Sequence, residues 1–407
     1  MRALPTRMQD NLYHDMFFPE ETLEIRKKVR EFAERVVAPR AAEIAQQEES
    51  VDTFPWDMFN KMAEEGLYKI PFPSEYGGLG LKYPTCATVV ALEELAYVSN
   101  SVAAIYDVHC ILSGNSIMYG TDDLKKKYLT PMIEGKIVGC FATTEPDASS
   151  DLSLRAMQSV GRKDGDTYII NGHKRFITNG PVANQVSALF NIDGKLTELV
   201  IELKQPGVRV GDPDLKCGNR GQLTCDLYFD NVVVPEENRI GNDGNGLHVA
   251  LGTLTYGRIG IGACGVGMAQ SAFDECVEYM KKREAFGKKL SQMQYWQYKW
   301  AERAIQIENA RNLYIKAAYL KDTGVEFPEP VSAGAKYYGT EIAGDLARDA
   351  VQIFGGYGWM RKLAHDDSTY KVEEIYRDYK ITEIYEGTNE VQKMIIARSI
   401  FGRDSMN

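Results

Sequence analysis

The sequence predicts an α+β protein with a helical N-terminal domain, a central antiparallel β-domain and a C-terminal helical bundle. Three observations predict this order: helical periodicity early in the chain, short β-rich runs separated by Asp-Gly and Asn-Gly turns in the middle, and long amphipathic helices after Gly246. At 407 residues the chain exceeds the usual size of a single hydrophobic core. We place the domains at residues 18–135, 136–245 and 246–407.

The helical pattern of the first domain begins at Pro19, where Glu20 and Glu21 make a favourable first turn. Apolar residues then recur at spacings of three and four, and we expect this helix to end at Pro39. Further helices are predicted over residues 56–65, 84–112 and 124–129.

The central domain should be a sheet because its apolar runs are short and rich in β-branched and aromatic residues. The predicted strands are residues 167–170, 185–191, 197–203 and 225–234. Turn dipeptides such as Asp164-Gly165 and Asn179-Gly180 separate them, which favours an antiparallel sandwich or barrel.

Helical periodicity returns after Gly246 in long blocks, which predicts a bundle. The predicted helices are residues 248–283, 293–323, 332–354 and 388–401.

Composition excludes several classes of function. With 47 basic and 57 acidic residues the net charge is −10, so the chain offers no basic field for nucleic acid. Seven cysteines without a CxxC pair indicate reduced, buried thiols and a cytoplasmic compartment. Five histidines, none spaced as a pair of ligands, predict no metal site. We expect neither a signal peptide in the first fifteen residues nor a membrane span, because long apolar runs are missing.

Three polar segments carry the functional signal. They are residues 384–390 (Ile-Tyr-Glu-Gly-Thr-Asn-Glu), 143–151 (Thr-Thr-Glu-Pro-Asp-Ala-Ser-Ser-Asp) and 176–180 (Phe-Ile-Thr-Asn-Gly). The first places a carboxylate and a glycine before a threonine that can cap the last helix. The other two supply hydroxyls and turn amides suited to a flavin or a phosphate. Taken singly, each is also compatible with an ordinary loop.

Three more motifs accompany these segments: residues 256–258 (Tyr-Gly-Arg), residues 283–288 (Arg-Glu-Ala-Phe-Gly-Lys) followed by Gln294, and residues 352–358 (Gln-Ile-Phe-Gly-Gly-Tyr-Gly). In this order on an α, β, α chain, the six motifs resemble the acyl-CoA dehydrogenase family over residues 18–403. The resemblance implies an FAD enzyme, usually a homotetramer, that oxidises an acyl-CoA at Cα and Cβ. It also implies electron-transferring flavoprotein as the acceptor.

Glu386 matches the catalytic base of the family, which takes the α-proton while hydride passes from Cβ to flavin N5. A desolvated carboxylate with a raised pKa is suited to that task. Some members carry the base beside the arginine of the long helix instead. That position is Gly257 here, which favours Glu386.

The resemblance also implies the residues that bind FAD and substrate. The expected FAD contacts are Phe141, Thr143, Thr144, Ser150, Phe176, Thr178, Arg283, Phe286, Gln294, Gln352, Gly355, Gly356, Thr388 and Glu390. Those from Arg283 to Gly356 are expected to reach the FAD of a neighbouring subunit. The expected substrate contacts are Ser150, Arg258, Tyr385 and Gly387. For Arg258 an ion pair between helices is an equally open interpretation.

Four positions depart from the family pattern. Asp147 and Ser149 stand where glycine is common, Phe176 where tryptophan is common, and Thr255 where many members have an acid. Asp147 adds an anion to the loop that the resemblance assigns to the pyrophosphate.

Asp107 is matched to the inner end of the acyl pocket. An acid there is unusual for a straight-chain substrate, because an unpaired buried carboxylate is unfavourable. One interpretation is that Asp107 pairs with His109, a tyrosine or water. The other is that Asp107 is a second base for an alicyclic thioester, as in cyclohex-1-ene-1-carboxyl-CoA and cyclohexanecarboxyl-CoA dehydrogenases, which would give a 1,4-type dehydrogenation. Glutaryl-CoA is disfavoured because Ala103 and Ala104 leave no arginine for a distal carboxylate.

Alternatives of substrate and class remain open at this point. A short straight-chain or branched acyl-CoA is the alternative substrate. A non-catalytic acyl-CoA-binding protein is the alternative class, although the retained Glu386 argues against it. An oxygen-reacting flavin monooxygenase or nitroalkane oxidase usually lacks the Glu-Gly-Thr motif.

Overall fold

The chain forms helices, then a sheet, then helices again. The computed structural model describes residues 4–13, 15–148 and 150–402. Within these ranges the helices are α1 (Gln9–Leu12), α2 (Glu20–Phe32), α3 (Ala38–Gln46), α4 (Trp56–Glu64), α5 (Pro84–Val98), α6 (Asn100–Asp107), α7 (Asn115–Ile117), α8 (Asp122–Leu124), α9 (Thr130–Ile133), α10 (Gly246–Lys282), α11 (Gln294–Asp322), α12 (Val331–Phe354), α13 (Gly356–Trp359), α14 (Lys371–Thr382) and α15 (Asn389–Phe401). The strands are β1 (Gly139–Ala142), β2 (Val160–Asp164), β3 (Thr167–Thr178), β4 (Gln185–Ile192), β5 (Lys195–Glu202), β6 (Val208–Val210), β7 (Thr224–Pro235), β8 (Arg239–Ile240), β9 (Glu284–Ala285) and β10 (Lys288–Lys289). The predicted fold class is confirmed.

We expected the first helical segment to end at Pro39, but it extends beyond this residue. It continues through a π-helical stretch, Ala33–Val37, into α3, and Pro39 lies in the first turn of α3. A proline is tolerated there because first-turn amides have no partner within the helix. The predicted helix over residues 84–112 is in turn interrupted at Ser99, whose backbone is extended. This break separates α5 from α6, the helix that carries Asp107.

The central sheet has the strand order β6-β7-β3-β2-β4-β5-β8, with β1 paired to β4. Most neighbours are antiparallel as predicted, but β1 and β2 each run parallel to β4, so the sheet is mixed. Strand β1 was not predicted from the sequence. Every residue of β1 is buried, so the strand shows no alternation of apolar and polar residues. The pairing of β3 with β7 shifts register between Lys174 and Ile177, which is typical of a bulge.

Three long helices, α10, α11 and α12, form the core of the bundle. Glycines let α10 and α12 approach closely: a Cβ on Gly262 would lie 2.7 Å from the carbonyl oxygen of Ala335. By length and composition α10 could cross a membrane, but 89% of its most apolar window is buried inside the protein.

The segment before α2 is anchored to both helical regions. Arg7 Nη1 lies 2.9 Å from Glu94 Oε2 in α5, and the backbone N–H of Met8 donates to Asp274 Oδ1 in α10 at 3.2 Å. Six cysteines are buried and free, as expected, but Cys217 is exposed. The prediction that all seven thiols are buried is therefore wrong at this position.

Candidate active site

The loop between α14 and α15 presents Glu386 to the interior. Glu386 has a φ of 54° and Gly387 a φ of 86°, so two successive left-handed residues turn the chain sharply. The Thr388 side chain caps α15 by accepting from the Val391 N–H at 3.3 Å, and Gln392 Nε2 donates to the Gly387 carbonyl at 2.8 Å. The loop is thereby held at both its glycine and its cap.

The Glu386 carboxyl group faces the backbone of α10. A Cβ on Gly257 would lie only 1.8 Å from Glu386 Oε2, so a side chain at this position would displace the carboxyl group. Oε2 is buried, and no donor within the described ranges reaches it. In the sequence, Gly257 indicated only that the alternative position of the base has no carboxylate. The structure shows that its lack of a side chain makes room for Glu386.

Asp107 lies beside Glu386, close enough for a hydrogen bond between the two side chains. A hydrogen bond between two carboxyl groups requires that one carries a proton. Burial, followed by the charge of Glu386, raises the pKa of Asp107 well above its usual range. Asp107 therefore keeps its proton when Glu386 ionises.

Glu386 remains the more acidic member of this pair. Burial raises its pKa to about 7, while the hydrogen bond from Asp107 and the charges of Lys336 and Arg258 act in the opposite direction. A carboxylate with a pKa near 7 is suited to accept a proton at neutral pH.

The sequence analysis left His109, a tyrosine or water as partners of Asp107. In the structure Asp107 lies beside Glu386 instead, and His109 has other partners. The His109 Nε2 donates to the Met132 carbonyl at 3.0 Å, and its Nδ1 accepts from the Gly139 N–H at 3.3 Å. Asp107 Oδ1 is buried and has no partner among the residues described. A Cβ on Gly260 would lie 2.9 Å from this oxygen, so a second glycine of α10 leaves space beside Asp107.

Arg258 forms an ion pair and also lies near the loop that carries Glu386. Its Nη1 forms an ion pair with Glu329 Oε1 at 2.8 Å. Its Nε is buried without a partner in the described chain and lies 3.9 Å from where a Cβ on Gly387 would stand. The Tyr385 hydroxyl is likewise buried without a partner in that part of the chain. Arg258, Tyr385 and Gly387 therefore surround Glu386.

The expected flavin residues of the β-domain come together at the ends of β1 and β3. The Arg175 N–H donates to the Thr144 carbonyl at 2.9 Å, which joins the loop after Phe141 and Thr143 to β3. Phe176 has a φ of 60° at the bulge and is 58% exposed, whereas Thr178 accepts from Gln222 Nε2 at 3.1 Å. The register shift turns the Phe176 ring out of the sheet.

The 143–151 loop is further fixed by a buried ion pair that sequence reasoning did not assign. Lys174 Nζ lies 2.8 Å from Glu145 Oε1, and Glu145 accepts from the N–H groups of Gln158 and Ser159. Ser150 is exposed on the turn that follows, and Ser149 lies outside the described residues. The signal in the sequence for this ion pair was Lys174, a lysine at a position of β3 that faces the interior.

The remaining expected FAD contacts are exposed on this single chain: Arg283, Phe286, Gln294, Gln352, Gly355, Gly356 and Glu390. The Arg283 guanidinium lies 6.0 Å from the centre of the Tyr357 ring, which brings it near the glycine pair. Phe286 is 98% exposed at the tip of the β9–β10 hairpin. No atom of the residues that the structure describes lies within 4 Å of where a Cβ on Gly355 or Gly356 would stand.

These features fit an FAD shared between chains. An exposed aromatic ring at the bulge, hydroxyls after β1 and a tethered loop suit a flavin and its pyrophosphate. The exposed arginine, the exposed Phe286 and the unobstructed glycine pair suit a nucleotide approached from another subunit.

Comparison with known proteins identifies the family. Three family models match the chain: the acyl-CoA dehydrogenase N-terminal domain over residues 19–136, the middle domain over 140–232 and the C-terminal domain over 244–401. The chain belongs to the acyl-CoA dehydrogenase family. It is an oxidoreductase acting on CH–CH groups, and its cofactor is FAD.

Relatives resemble the chain over nearly its whole length. The short-chain specific acyl-CoA dehydrogenase of Clostridium acetobutylicum is 41% identical, covering 93% of this chain and 97% of that protein. A subunit of the caffeyl-CoA reductase-Etf complex of Acetobacterium woodii is 36% identical over 94% and 98% of the two chains. The butyryl-CoA dehydrogenase structure from Megasphaera elsdenii superposes with a TM-score of 0.86 at 34% identity, covering 94% and 98%.

Proposed function

We propose that the chain dehydrogenates a short-chain acyl-CoA between Cα and Cβ, with Glu386 as the base. The observation that carries this proposal is the buried Glu386 Oε2, which has no donor among the described residues and faces the backbone at Gly257. An oxygen without a hydrogen-bond donor keeps its lone pairs available for the α-proton of a substrate. The pKa of about 7 lets Glu386 accept that proton at neutral pH.

The chemistry requires one proton and one hydride to leave the substrate. Glu386 takes the proton from Cα, and FAD, when bound, would supply the acceptor for the hydride from Cβ. We assign the Glu386 N–H as a donor to the thioester oxygen, with Ser150, Arg258, Tyr385 and Gly387 around the substrate. One preorganised donor at a developing oxyanion lowers the barrier by about 3 kcal/mol.

Packing at the inner end of the site supports a short acyl group. A Cβ on Gly260 would lie 2.8 Å from Leu92 Cδ1, 2.9 Å from Asp107 Oδ1 and 3.2 Å from Ile111 Cδ1. Leu92, Asp107 and Ile111 fill the space beside Gly260 on α10, which we infer limits the length of the acyl chain. The short-chain and butyryl-CoA specificities named for two relatives agree with this limit.

A second candidate substrate is an alicyclic thioester, favoured by the contact between Asp107 and Glu386. Two adjacent carboxyl groups could address two positions of one ring, with Asp107 as the second base. Because Asp107 keeps its proton when Glu386 ionises, it must lose that proton before it can act as a base. The short-chain names of the relatives favour the first candidate.

We further propose a homotetramer that transfers electrons to electron-transferring flavoprotein in the cytoplasm. Exposure of Arg283, Phe286 and the glycine pair supports assembly, because a second chain would cover them. The Etf complex named for the Acetobacterium woodii relative supports the acceptor.

An anaerobic spectral titration tests the proposal. The purified holoenzyme is mixed with butyryl-CoA, isobutyryl-CoA, cyclohex-1-ene-1-carboxyl-CoA and cyclohexanecarboxyl-CoA, and bleaching of the flavin absorbance is followed. We expect butyryl-CoA to bleach the flavin fastest. Selective bleaching by a ring thioester would instead establish the second candidate. If no thioester bleaches a fully flavin-loaded enzyme, the proposed activity is wrong.

A further inference from the structure

Lys336 is a buried cation in α12 that the proposed reaction does not yet use. Its side chain has no exposed surface, although lysine is almost never fully buried without a partner. Its Nζ donates to Asn389 Oδ1 at 2.8 Å. Within the described ranges this is its one hydrogen bond, and no carboxylate forms an ion pair with it.

Asn389 connects Lys336 to the loop that carries Glu386. It is the first residue of α15, and its backbone N–H donates to the Glu383 carbonyl at 2.9 Å, across the turn that contains Glu386. The Thr340 hydroxyl, one turn after Lys336 in α12, contacts the same side chain and accepts from Asn389 Nδ2 at 3.1 Å. Lys336 and Thr340 therefore support the same end of the loop, one with a charge and the other without.

The charges around Lys336 and Glu386 come from four helices and from the loop between α14 and α15. Glu386 is faced by Asp107 of α6, Arg258 of α10 and Lys336 of α12. Lys336 is faced by Glu386 and Glu383 of the loop, by Glu390 of α15 and by Arg258. Of the negative charges that act on Lys336, Glu386 has the largest effect.

Lys336 and Glu386 shift each other's pKa in opposite directions. Burial lowers the pKa of Lys336 to about 7, against the opposing effect of the Glu386 charge. Burial raises the pKa of Glu386 to about 7, and Lys336 lowers it. Arg258 is a less effective source of positive charge because Glu329 partly neutralises it at 2.8 Å.

We propose that Lys336 is a positioning residue for Glu386: its buried positive charge stabilises the ionised carboxylate beside Asp107, and its hydrogen bond to Asn389 fixes the loop. This inference rests on the proposed role of Glu386 as the base. Without the cation, two buried carboxyl groups would meet with only the paired Arg258 nearby. Glu386 would then hold its proton to higher pH and be blocked as a base.

The test compares pH profiles of anaerobic flavin bleaching by butyryl-CoA. In the wild type, we expect the rate to fall as the pH drops through about 7, because protonated Glu386 cannot accept a proton. In Lys336→Met this acidic limb should move to higher pH, because the ammonium charge that Lys336 carries below about pH 7 is lost. Lys336→Arg should restore the limb, because it keeps the charge.

Thr340→Val is the matched control. It removes an uncharged hydrogen bond between the same Asn389 side chain and the same helix. We expect a lower melting temperature and an unchanged acidic limb. If Lys336→Met folds, binds FAD and keeps the wild-type limb, Lys336 is only structural and the inference is wrong.

Asn389→Asp provides a second route if Lys336→Met does not fold. This nearly isosteric change sets a carboxylate against Lys336 and neutralises it, so the acidic limb should again move to higher pH. An unmoved limb in a folded Asn389→Asp enzyme would contradict the inference. The outcomes also separate two failures: a wild type that no thioester bleaches refutes the proposed activity, whereas an active wild type with unmoved variants refutes the role of Lys336 alone.

Discussion

The carboxyl groups of Asp107 and Glu386 lie side by side in the interior, where α6 and the loop before α15 both face α10. Burial raises the pKa of both groups, and the negative charge of Glu386 raises that of Asp107 further. Glycines at 257 and 260 leave space on α10 for the two side chains. The two carboxyl groups of this site therefore lie in different environments and lose their protons at different pH values, as neighbouring acids do in other sites.

Replacing Glu386 with glutamine tests the base directly. The amide keeps the shape of the side chain but cannot accept a proton, so flavin bleaching should slow by at least about a hundredfold to ten-thousandfold. FAD content and melting temperature should stay close to wild type. Stopped-flow absorbance under anaerobic conditions measures the rate, and near-normal bleaching would sink the assignment.

Gly257→Ala tests whether space on α10 positions the base. The new methyl group would lie 1.8 Å from Glu386 Oε2 and force the carboxylate aside. A displacement of this size at a reacting group can reduce the rate by about a hundredfold. The control is Gly334→Ala in α12, where nothing lies within 4 Å of the new methyl group. That variant should keep full activity. Equal activities of the two variants would contradict the steric argument.

The long elements were predicted well because their patterns are local. The prediction of residues 332–354 differs by one residue from Val331–Phe354, and 185–191 differs by one from Gln185–Ile192. The errors occur where a tertiary partner decides. Ser99 interrupts a run that is apolar throughout, and the buried strand β1 has no alternation, so neither feature has a local signature.

The site was predicted unevenly for a similar reason. The resemblance placed Asp107 in the acyl pocket, and the structure sets its carboxyl group against Glu386. Lys336 was missed because a single lysine in an amphipathic helix is usually a surface residue. Its neighbours Ala333, Gly339 and Ala343 share its face of α12 and are buried, which was the available signal.

Asp107→Asn separates the two candidate substrates. Asparagine retains a donor to Glu386 but cannot act as a base. If Asp107 removes a proton from a ring, bleaching by cyclohex-1-ene-1-carboxyl-CoA should fall about a hundredfold more than bleaching by butyryl-CoA. For the short-chain activity we expect only a modest loss. Equal losses with both thioesters would leave Asp107 as the partner of Glu386 and remove the second-base hypothesis.

Arg283→Ala tests the contact with FAD across subunits. A lost hydrogen bond to a charged group weakens binding by about 1.5 to 3 kcal/mol, or roughly tenfold to a hundredfold. The variant should therefore be purified with little flavin, as measured by the ratio of visible to ultraviolet absorbance. Lys282→Ala is the control, since this adjacent cation is 79% exposed and lies 3.6 Å from Glu278 of its own helix. Full flavin occupancy in Arg283→Ala would show that the contact is dispensable.

His109 predicts how the stability of the protein depends on pH. Burial lowers its pKa to about 4, and its Nδ1 accepts from the Gly139 N–H, which an imidazolium could not do. The unfolded chain binds the proton from about pH 6.5 downward, so stability is full above this pH and is lost as the pH falls towards about 4. Between about pH 7.5 and about pH 5 this difference lowers the free energy of unfolding by about 2 kcal/mol. Urea titrations of wild type and His109→Gln at both pH values measure it. The variant should be less stable than wild type at the higher pH and should lose about 2 kcal/mol less on acidification; parallel losses in the two proteins would show that His109 is not the titrating group.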